Sequence, residues 1–394
     1  MKNSRHLLIF LLAFGMIASC KEELNNVNAN EATADLSTKD LNATTNYTTQ
    51  SLPTTYSLMY TPSQITYVKA KIASQTQQWY NAYQQLITKA NSYANRTHNA
   101  VTSFSVPPYY SNTAGHNAAK APYMGDVDAA YTNALAYILS GDSTYATKAV
   151  YFLKAWSSQN TTIATTGDTP LVSAYGGSGF LVAADLLMNT TFWTSAEKLT
   201  FKNWVQNKYL PVVNGIKANA NNWGDWGTYA VTCAYVILGD EANVDAQVER
   251  MKLRIDKHIE ADGHMPLEVA REENGVWYTY FALSAMTASA QVALNTTGTN
   301  IFTFTSPKGR KLKTALDYLL YYTKHQEEWP WHPMTEKILT SGTQWPLDLF
   351  EGVSNPYGSY YNQFTSPFKP IMGGYKGSAI THFAWKFPTL MRTP

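Results

Sequence analysis

Apolar residues at helical spacing, interrupted by the dipeptide Gly-Asp, constrain the fold of this chain more than any other feature. One such run ends at Gly141-Asp142 and another begins directly after it, and the arrangement recurs at Gly239-Asp240. Glycine readily takes the left-handed conformation that ends a helix, and aspartate accepts hydrogen bonds from the first free amides of the next helix. Each dipeptide therefore predicts a tight turn between two packed helices.

Further segments have the same helical spacing of apolar residues, and Thr194 with Glu197 forms a capping-box pattern before one of them. The other predicted helices cover residues 67–93, 180–188, 276–294 and 312–325. The glycine-rich stretch 175–179 is interpreted as a turn, and the segment after Trp329 as loops with one small helix. Segments typical of β-strands are short and scattered, so we predict a mostly α fold.

Repeated helical hairpins can close into an α/α toroid, which is an incomplete barrel of hairpins around a central cleft. A helical solenoid is the competing architecture, but the chain lacks the strict sequence period that a solenoid requires. We therefore predict one α/α toroid over residues 56–394 with no internal domain boundary.

The first 19 residues have the features of an export signal. Lys2 and Arg5 precede an apolar stretch, 7–18, that is too short to cross a membrane as a helix. Residues 17–20, Ile-Ala-Ser-Cys, resemble the bacterial lipobox, in which the cysteine is lipidated. The alternative is an ordinary signal peptide that happens to contain Cys20. Residues 20–55 are rich in Asn, Thr and Ala and predict a flexible tether. We expect an exported lipoprotein of the outer membrane, on its periplasmic face or at the cell surface.

Charge and cysteine content exclude several functions. Charged residues are only 15% of the chain, with 30 Lys and Arg against 28 Asp and Glu, so no basic stripe is available to bind nucleic acid. With Cys20 lipidated, Cys233 has no disulfide partner, and its apolar neighbours predict a core position. Because HExxH and paired-cysteine motifs are absent from the sequence, we expect neither a metal nor another cofactor.

Two segments carry residues suited to chemistry on a sugar. Residues 221–227 contain two amides, two indoles and two glycines, which favour a binding loop, since tryptophan faces pack on sugar rings. The alternative is a turn with both Trp223 and Trp226 in the core. In the second segment, Arg271 can hold a carboxylate through two parallel hydrogen bonds, and Tyr278 follows seven residues later. On one helix this spacing would place both on one face. The alternative is a surface arginine paired with a neighbouring glutamate, and a tyrosine in the core.

The order of Asn222, Arg271 and Tyr278 along the chain resembles the order of site residues in the alginate lyase superfamily. Members of that superfamily have an α/α toroid and cleave uronate polysaccharides. Residues 116–123, His-Asn-Ala-Ala-Lys-Ala-Pro-Tyr, are similar to the beginning of the family's first conserved helices, and the resemblance spans residues 95–300. One departure concerns the catalytic base. Many relatives place a histidine directly after the asparagine, and this chain has Trp223 there.

The resemblance implies a polysaccharide lyase that cleaves alginate or a glucuronan-like polymer by β-elimination. Asn222 and Arg271 would stabilise the charge that develops on the sugar carboxylate, and Tyr278 would donate a proton to the leaving oxygen. Tyr278 could also take the C5 proton; His116 is the first choice for a separate base and His98 the second. Contacts with the substrate are expected from Trp223, Trp226, Tyr123, Tyr280 and Trp331.

Two functions of other classes remain open. An inverting glycosidase on the same toroid needs two carboxylates roughly 6.5–9.5 Å apart. Its candidates are Asp126, Asp128, Asp225, Glu268 and Glu327. A surface glycan-binding lipoprotein would need only aromatic side chains such as Trp223 and Trp226. For the lyase we expect an acidic polysaccharide as substrate, no nucleic-acid partner, a monomer, and membrane attachment only through the lipid on Cys20.

Overall fold

Helices form most of the described part of the computed structural model, which covers residues 57–334, 338–339 and 345–392. The predicted signal segment, Cys20 and the predicted tether lie outside the described residues, and their roles stay predictions. The helices before residue 260 are α1 (Pro62–Ala73), α2 (Gln77–Ser92), α3 (Thr113–Ser140), α4 (Ser143–Gln159), α5 (Thr169–Leu187), α6 (Ser195–Trp204), α7 (Leu210–Asn214), α8 (Asn222–Leu238) and α9 (Glu241–His258). A π-helical turn, Val205–Tyr209, joins α6 to α7.

The later helices are α10 (Pro266–Val269), α11 (Gly275–Thr297), α12 (Leu312–Lys324), α13 (Leu347–Gly352), α14 (Ser354–Tyr357) and α15 (Ser359–Thr365). Short 3₁₀ turns cover Glu272–Asn274, Ile301–Thr303, Gln326–Glu328, Ser366–Phe368 and Pro388–Met391. The strands are β1 (Ser103–Phe104) parallel to β2 (Thr162–Ile163), and β3 (Tyr375–Lys376) antiparallel to β4 (Ala379–Ile380). In β1 and β2, Ser103 pairs with Thr162; in β3 and β4, Tyr375 pairs with Ile380.

The helices form two layers. In the inner layer α3 packs on α5, α5 on α8, and α8 on α11; in the outer layer α4, α9 and α12 pack on α3, α8 and α11 respectively. Nearly every residue of α5 is buried, as are most residues of α8 and α11, so the core lies along the inner helices. This arrangement is the predicted α/α toroid.

The predicted hairpin turns are confirmed. Gly141 and Gly239 end their helices with φ of 80° and 77°, and Asp142 and Asp240 cap the next helices by accepting backbone hydrogen bonds. Thr194 and Glu197 make the predicted capping box at α6. Short-range sequence rules therefore fix where the chain turns.

Three local predictions were wrong. The helix predicted over 67–93 is two helices, because the chain turns at Gln75, whose φ is 52°. The predicted turn 175–179 lies inside α5; its glycines allow close packing, since a side chain on Gly177 would overlap Tyr123 and Tyr209. After Trp329 the chain forms several short helices and a two-stranded hairpin.

By length and composition alone, helix α5 could cross a membrane. However, 94% of its most apolar 18-residue stretch is buried within the protein. Its apolar character is therefore that of a core helix. Cys233, on α8, is likewise buried, as predicted.

The C-terminal segment is tied to α3 through buried charges. Lys386 lies 2.9 Å from Asp128, and neither side chain is exposed. The hydroxyls of Tyr93 and Tyr375 also donate to Asp128, at 2.6 and 2.7 Å. Because a buried charge is tolerated only when paired and hydrogen-bonded, this group of side chains fixes the last described residues against the toroid.

Candidate active site

Arg271 and Tyr278 meet beside a third side chain, Tyr110. The guanidinium carbon of Arg271 lies 4.1 Å from the centre of the Tyr278 ring. Nη2 of Arg271 donates to the Tyr110 hydroxyl at 3.0 Å, and the hydroxyls of Tyr110 and Tyr278 are 2.7 Å apart. We call these three residues the Arg–Tyr cluster.

Arg271 and Tyr278 do not share a helix, so the condition under which their spacing would place them on one helical face is not met. Arg271 follows α10 and precedes the 3₁₀ turn Glu272–Asn274, whereas Tyr278 lies in the first turn of α11. Glu272, the first residue of the 3₁₀ turn, takes a φ of 54°, so no continuous helix joins the two elements. The turn, and not helical periodicity, brings Arg271 over the ring of Tyr278.

Asn222 is the first residue of α8, so the loop predicted at 221–227 is instead the beginning of a helix. The side chain of Asn221 caps it by accepting from the Trp223 amide at 3.2 Å. Asn222 is buried; its backbone N–H and Nδ2 donate to the two carboxylate oxygens of Glu268, at 2.6 and 2.7 Å. Its Oδ1 has no hydrogen-bond partner among the described residues.

Electrostatic interactions link Asn222 to the Arg–Tyr cluster through Glu268. Burial raises the pKa of Glu268 to about 7, while its hydrogen bonds from Asn222 and the charge of Arg271 act in the opposite direction. Burial also raises the pKa of Tyr278, against the charge of Arg271. Tyr278 is therefore protonated at neutral pH and can act as a proton donor. Glu268 thus connects Asn222, through hydrogen bonds, with Arg271 and Tyr278, through charge interactions.

His116 is the first candidate for a separate base, and its described contacts connect it to the cluster only through Tyr109. It is in the first turn of α3 and is 5% exposed. Its Nδ1 is 3.0 Å from the Pro107 carbonyl and 3.1 Å from an oxygen of Asp168, so a proton on Nδ1 satisfies both acceptors and leaves the lone pair on Nε2. Its ring contacts that of Tyr109, the residue before Tyr110.

His98, the second candidate base, lies on the outer layer. Its ring is 5.3 Å from that of Tyr151 on α4, and its Nε2 is 3.4 Å from Nε2 of Gln159. These residues line an open groove of about 410 Å³ on α4 together with Phe192. None of the described contacts of His98 involves the Arg–Tyr cluster, so its position does not suit the base.

Three of the five expected substrate-binding residues lie in the core. Trp226, Tyr123 and Tyr280 are 0%, 2% and 0% exposed, because they are on inner helices whose surroundings are protein on all sides. As they lie, a sugar ring cannot reach them. Trp223 is half-buried and packs against the core, whereas Trp331 is 42% exposed, with its Nε1 donating to the Tyr318 hydroxyl at 2.8 Å.

Tyr110 is the site residue that the sequence reasoning missed. It is 69% exposed and lies in the sequence Pro107-Pro108-Tyr109-Tyr110, just before α3. Two adjacent tyrosines in a proline-containing loop are a sequence signal for exposed aromatic rings. Its partner Tyr278 is 168 residues away, so only the tertiary structure shows the contact.

Four of the carboxylates proposed for a glycosidase are occupied in the core. Asp126, Asp128, Asp225 and Glu268 are at most 1% exposed. Asp126 binds Arg96, Asp225 binds Arg254, and the other two bind Lys386 and Asn222. Such carboxylates cannot activate water on one face of a sugar as they lie, so the arrangement does not favour the glycosidase.

One group of described residues has the spacing of metal ligands. Ligand atoms of His325, Glu327 and Glu328 lie within 4.8 Å of one another. Both glutamates are exposed, and Glu328 also accepts a hydrogen bond from Tyr321. Exposed acidic groups of this kind are common without a metal, and this one lies apart from the contacts described for Arg271.

Comparison with known proteins identifies a family and several solved structures that match most of the chain. A family model named Alginate lyase matches residues 68–329. An alginate lyase from Bacteroides ovatus is similar in structure, with a TM-score of 0.68 and 21% identity over 85% of this chain and 98% of that one. A Tyr-to-Phe variant of alginate lyase A1-III complexed with a tetrasaccharide has a TM-score of 0.68 and 15% identity, and the match covers 86% of this chain and 96% of that one. Alginate lyase A1-III from Sphingomonas species A1 has a TM-score of 0.60 and 14% identity, and the match covers 80% of this chain and 94% of that one. No curated protein matches the chain significantly.

Proposed function

Because the chain belongs to the alginate lyase family and is a polysaccharide lyase, we propose that it cleaves a uronic-acid-containing polysaccharide, alginate or a glucuronan-like polymer, by β-elimination. The observation that carries this proposal is the contact between Arg271 and Tyr278, which puts a guanidinium and a protonated phenol side by side. The product would carry an unsaturated uronate at its new non-reducing end.

The proposed chemistry begins at the sugar carboxylate. The proton on C5 is only weakly acidic while the neighbouring carboxylate keeps its full charge. Asn222 is fully buried as it lies, so its amide has to be uncovered when the substrate binds. Arg271 and the second N–H of that amide would then donate hydrogen bonds to the sugar carboxylate, and these strengthen as removal of the C5 proton places more negative charge on its oxygens. This preferential stabilisation of the transition state is an oxyanion-hole effect, and each donor typically supplies about 3 kcal/mol.

Two proton transfers complete the elimination. A base takes the C5 proton, the C–H electron pair forms the C4–C5 double bond, and the C4–O bond breaks. We assign the proton for the leaving O4 oxygen to Tyr278, since burial keeps this phenol protonated. We assign the C5 proton to Nε2 of His116, because Trp223 occupies the position of the family's histidine and His116 is adjacent to the loop that carries Tyr110.

Replacing His116 with alanine is expected to lower turnover by about 100-fold or more, which is the usual contribution of a general base. The Michaelis constant should change little, since His116 is not assigned a binding role. His264→Ala, which changes a half-buried histidine held by Asp262, serves as the control. Turnover of His116→Ala within threefold of the wild type would assign both proton transfers to Tyr278.

The choice of substrate rests on the relatives. The similar solved structures are alginate lyases, and two of them, variants of alginate lyase A1-III, hold a tetrasaccharide. In this chain the exposed Trp331 and the half-buried Trp223 offer aromatic faces on which sugar rings can stack.

An ultraviolet absorbance assay tests the proposed reaction. The unsaturated uronate is conjugated and absorbs in the ultraviolet, so absorbance should rise when the protein is mixed with polymannuronate, polyguluronate or glucuronan. New reducing ends without this absorbance would indicate hydrolysis, and binding without either signal would indicate a glycan-binding protein. Either of those results across all three polymers would reject β-elimination.

A further inference from the structure

Glu268 is a buried carboxylate to which the proposed reaction assigns no role. It is 1% exposed and lies on the short helix α10, three residues before Arg271. Its Oε1 accepts from the backbone N–H of Asn222 and its Oε2 from the side-chain Nδ2 of the same residue. Glu268 therefore binds one predicted site residue, Asn222, and is close in sequence to another, Arg271.

The pattern of hydrogen bonds fixes the orientation of the Asn222 amide. A backbone N–H can only donate, so one carboxylate oxygen must accept from it. The second oxygen is also an acceptor, and it therefore selects Nδ2 and turns Oδ1 of Asn222 away. That Oδ1 has no hydrogen-bond partner among the described residues, so the contact with Glu268 alone sets the orientation of the amide.

The same carboxylate also connects two segments that the reaction requires to act together. Asn222 begins α8, whereas Arg271 follows α10, and the two segments are 49 positions apart in the chain (271 − 222). A bidentate contact from α10 to the first residue of α8 holds these segments in register, and it satisfies a free amide at the N-terminus of α8.

We propose that Glu268 is a positioning residue of the lyase reaction, which orients the Asn222 amide toward the uronate carboxylate and holds it in register with Arg271. This inference rests on the proposed function, because Asn222 and Arg271 matter to it only as ligands of the substrate. Glu268 itself contacts neither the sugar nor a reacting atom; it acts through Asn222.

Protonation of Glu268 should have the same effect as its removal. Its folded-state pKa is raised to about 7 from an ordinary value of 4.5, so the carboxylate gains a proton as the pH falls through about 7 and then loses one acceptor oxygen. The charged groups that face it are Asp225 on α8, which raises its pKa, and Arg271, which lowers it; Tyr278 on α11 also interacts with it. We therefore expect an acid limb in the pH profile of turnover, with a midpoint near 7.

The test variant is Glu268→Gln. A glutamine offers one acceptor and one donor, so its oxygen can keep the backbone N–H while its NH₂ group faces Nδ2 of Asn222, and the asparagine amide must flip. Turnover of the most readily cleaved polymer should fall at least tenfold with a Michaelis constant within threefold of the wild type. The acid-limb component near pH 7 should disappear, which a purely structural role would not cause.

Glu351→Gln is the matched control. Glu351 is also a fully buried glutamate, bound to Lys369 at 3.1 Å and to the hydroxyl of Thr365 at 2.6 Å, but it lies on α13. We expect its turnover and pH profile to match those of the wild type, even if its thermal midpoint falls. Turnover of Glu268→Gln within threefold of the wild type, or an unchanged acid limb, would overturn the proposal.

Two further measurements keep the test decisive. If Glu268→Gln does not fold, Glu268→Asp retains two acceptor oxygens on a shorter side chain. It should keep the acid limb and lose turnover, whereas wild-type turnover would overturn the proposal. The wild-type assay comes first: a wild type inactive on every uronate polymer contradicts the proposed function, whereas an active wild type with a neutral Glu268 variant contradicts only the positioning role.

Discussion

Tyr278→Phe is expected to reduce turnover by about 1,000-fold, because it removes the one hydroxyl assigned to protonate the leaving oxygen. The ring stays in place, and Arg271 keeps its contact with the ring face, which lies 4.1 Å from the guanidinium carbon. Binding of a uronate oligosaccharide should therefore be nearly unchanged. Initial rates by ultraviolet absorbance and the dissociation constant by calorimetry separate the two effects.

A matched control for this variant is Tyr360→Phe, which removes the hydroxyl of a half-exposed tyrosine on α15. Its rate should equal that of the wild type. If Tyr278→Phe retained wild-type turnover, Tyr278 would have no role in proton transfer, and the Arg–Tyr cluster would have to serve binding alone.

Arg271→Ala is expected to lower turnover by more than 100-fold, which corresponds to about 3 kcal/mol of lost charge stabilisation. The loss should appear mainly in kcat, because the guanidinium interacts most strongly with the charge that develops during proton removal. Arg271→Lys should recover only part of the rate, since an ammonium keeps the charge but lacks the planar pair of donors. Asn222→Ala should produce a similar loss through the same carboxylate.

Arg310→Ala is a suitable control for these variants, because Arg310 pairs with Glu260 at 2.8 Å and has no assigned role in the reaction. Kinetics over a range of substrate concentrations decide between two interpretations. If Arg271→Ala raises only the Michaelis constant, Arg271 binds the ground state and the transition state equally, and the charge-stabilisation account is wrong.

Local sequence rules predicted the turns of the fold well. Glycine after a helix and aspartate before the next one are satisfied by a few neighbouring atoms, so Gly141-Asp142 and Gly239-Asp240 behave as the sequence indicates. The same local reasoning misplaced residues 221–227 and 175–179. Residues 221–227 begin α8 and residues 175–179 lie inside α5, because tertiary packing overrides the weak helix propensity of their glycines.

The candidate site was partly predictable for a related reason. Arg271 and Tyr278 are close in sequence, so a short turn suffices to bring them together. Tyr110 and Glu268 contact residues 168 and 46 positions away, and such pairs have no local signature. Trp226, Tyr123 and Tyr280 were expected to bind sugars because they are aromatic, but an inner helix of a toroid uses aromatic rings to fill its core.

Trp223 has a particular consequence for the mechanism. At the position where many relatives have their histidine, this chain has a half-buried indole that packs against the core and carries no basic nitrogen. We therefore propose a base from another element, His116 on α3, whose ring contacts that of Tyr109 in the loop that carries Tyr110. Tyr278 is the alternative, and the His116→Ala variant decides between the two.

The most direct test of the central claim is a crystal structure of the Tyr278→Phe variant with a uronate oligosaccharide bound. We predict that the carboxylate of one sugar accepts hydrogen bonds from both Asn222 and Arg271, with its O4 oxygen next to the ring of residue 278. A carboxylate held by neither side chain, or Asn222 and Arg271 bound to different sugar units, would contradict the account.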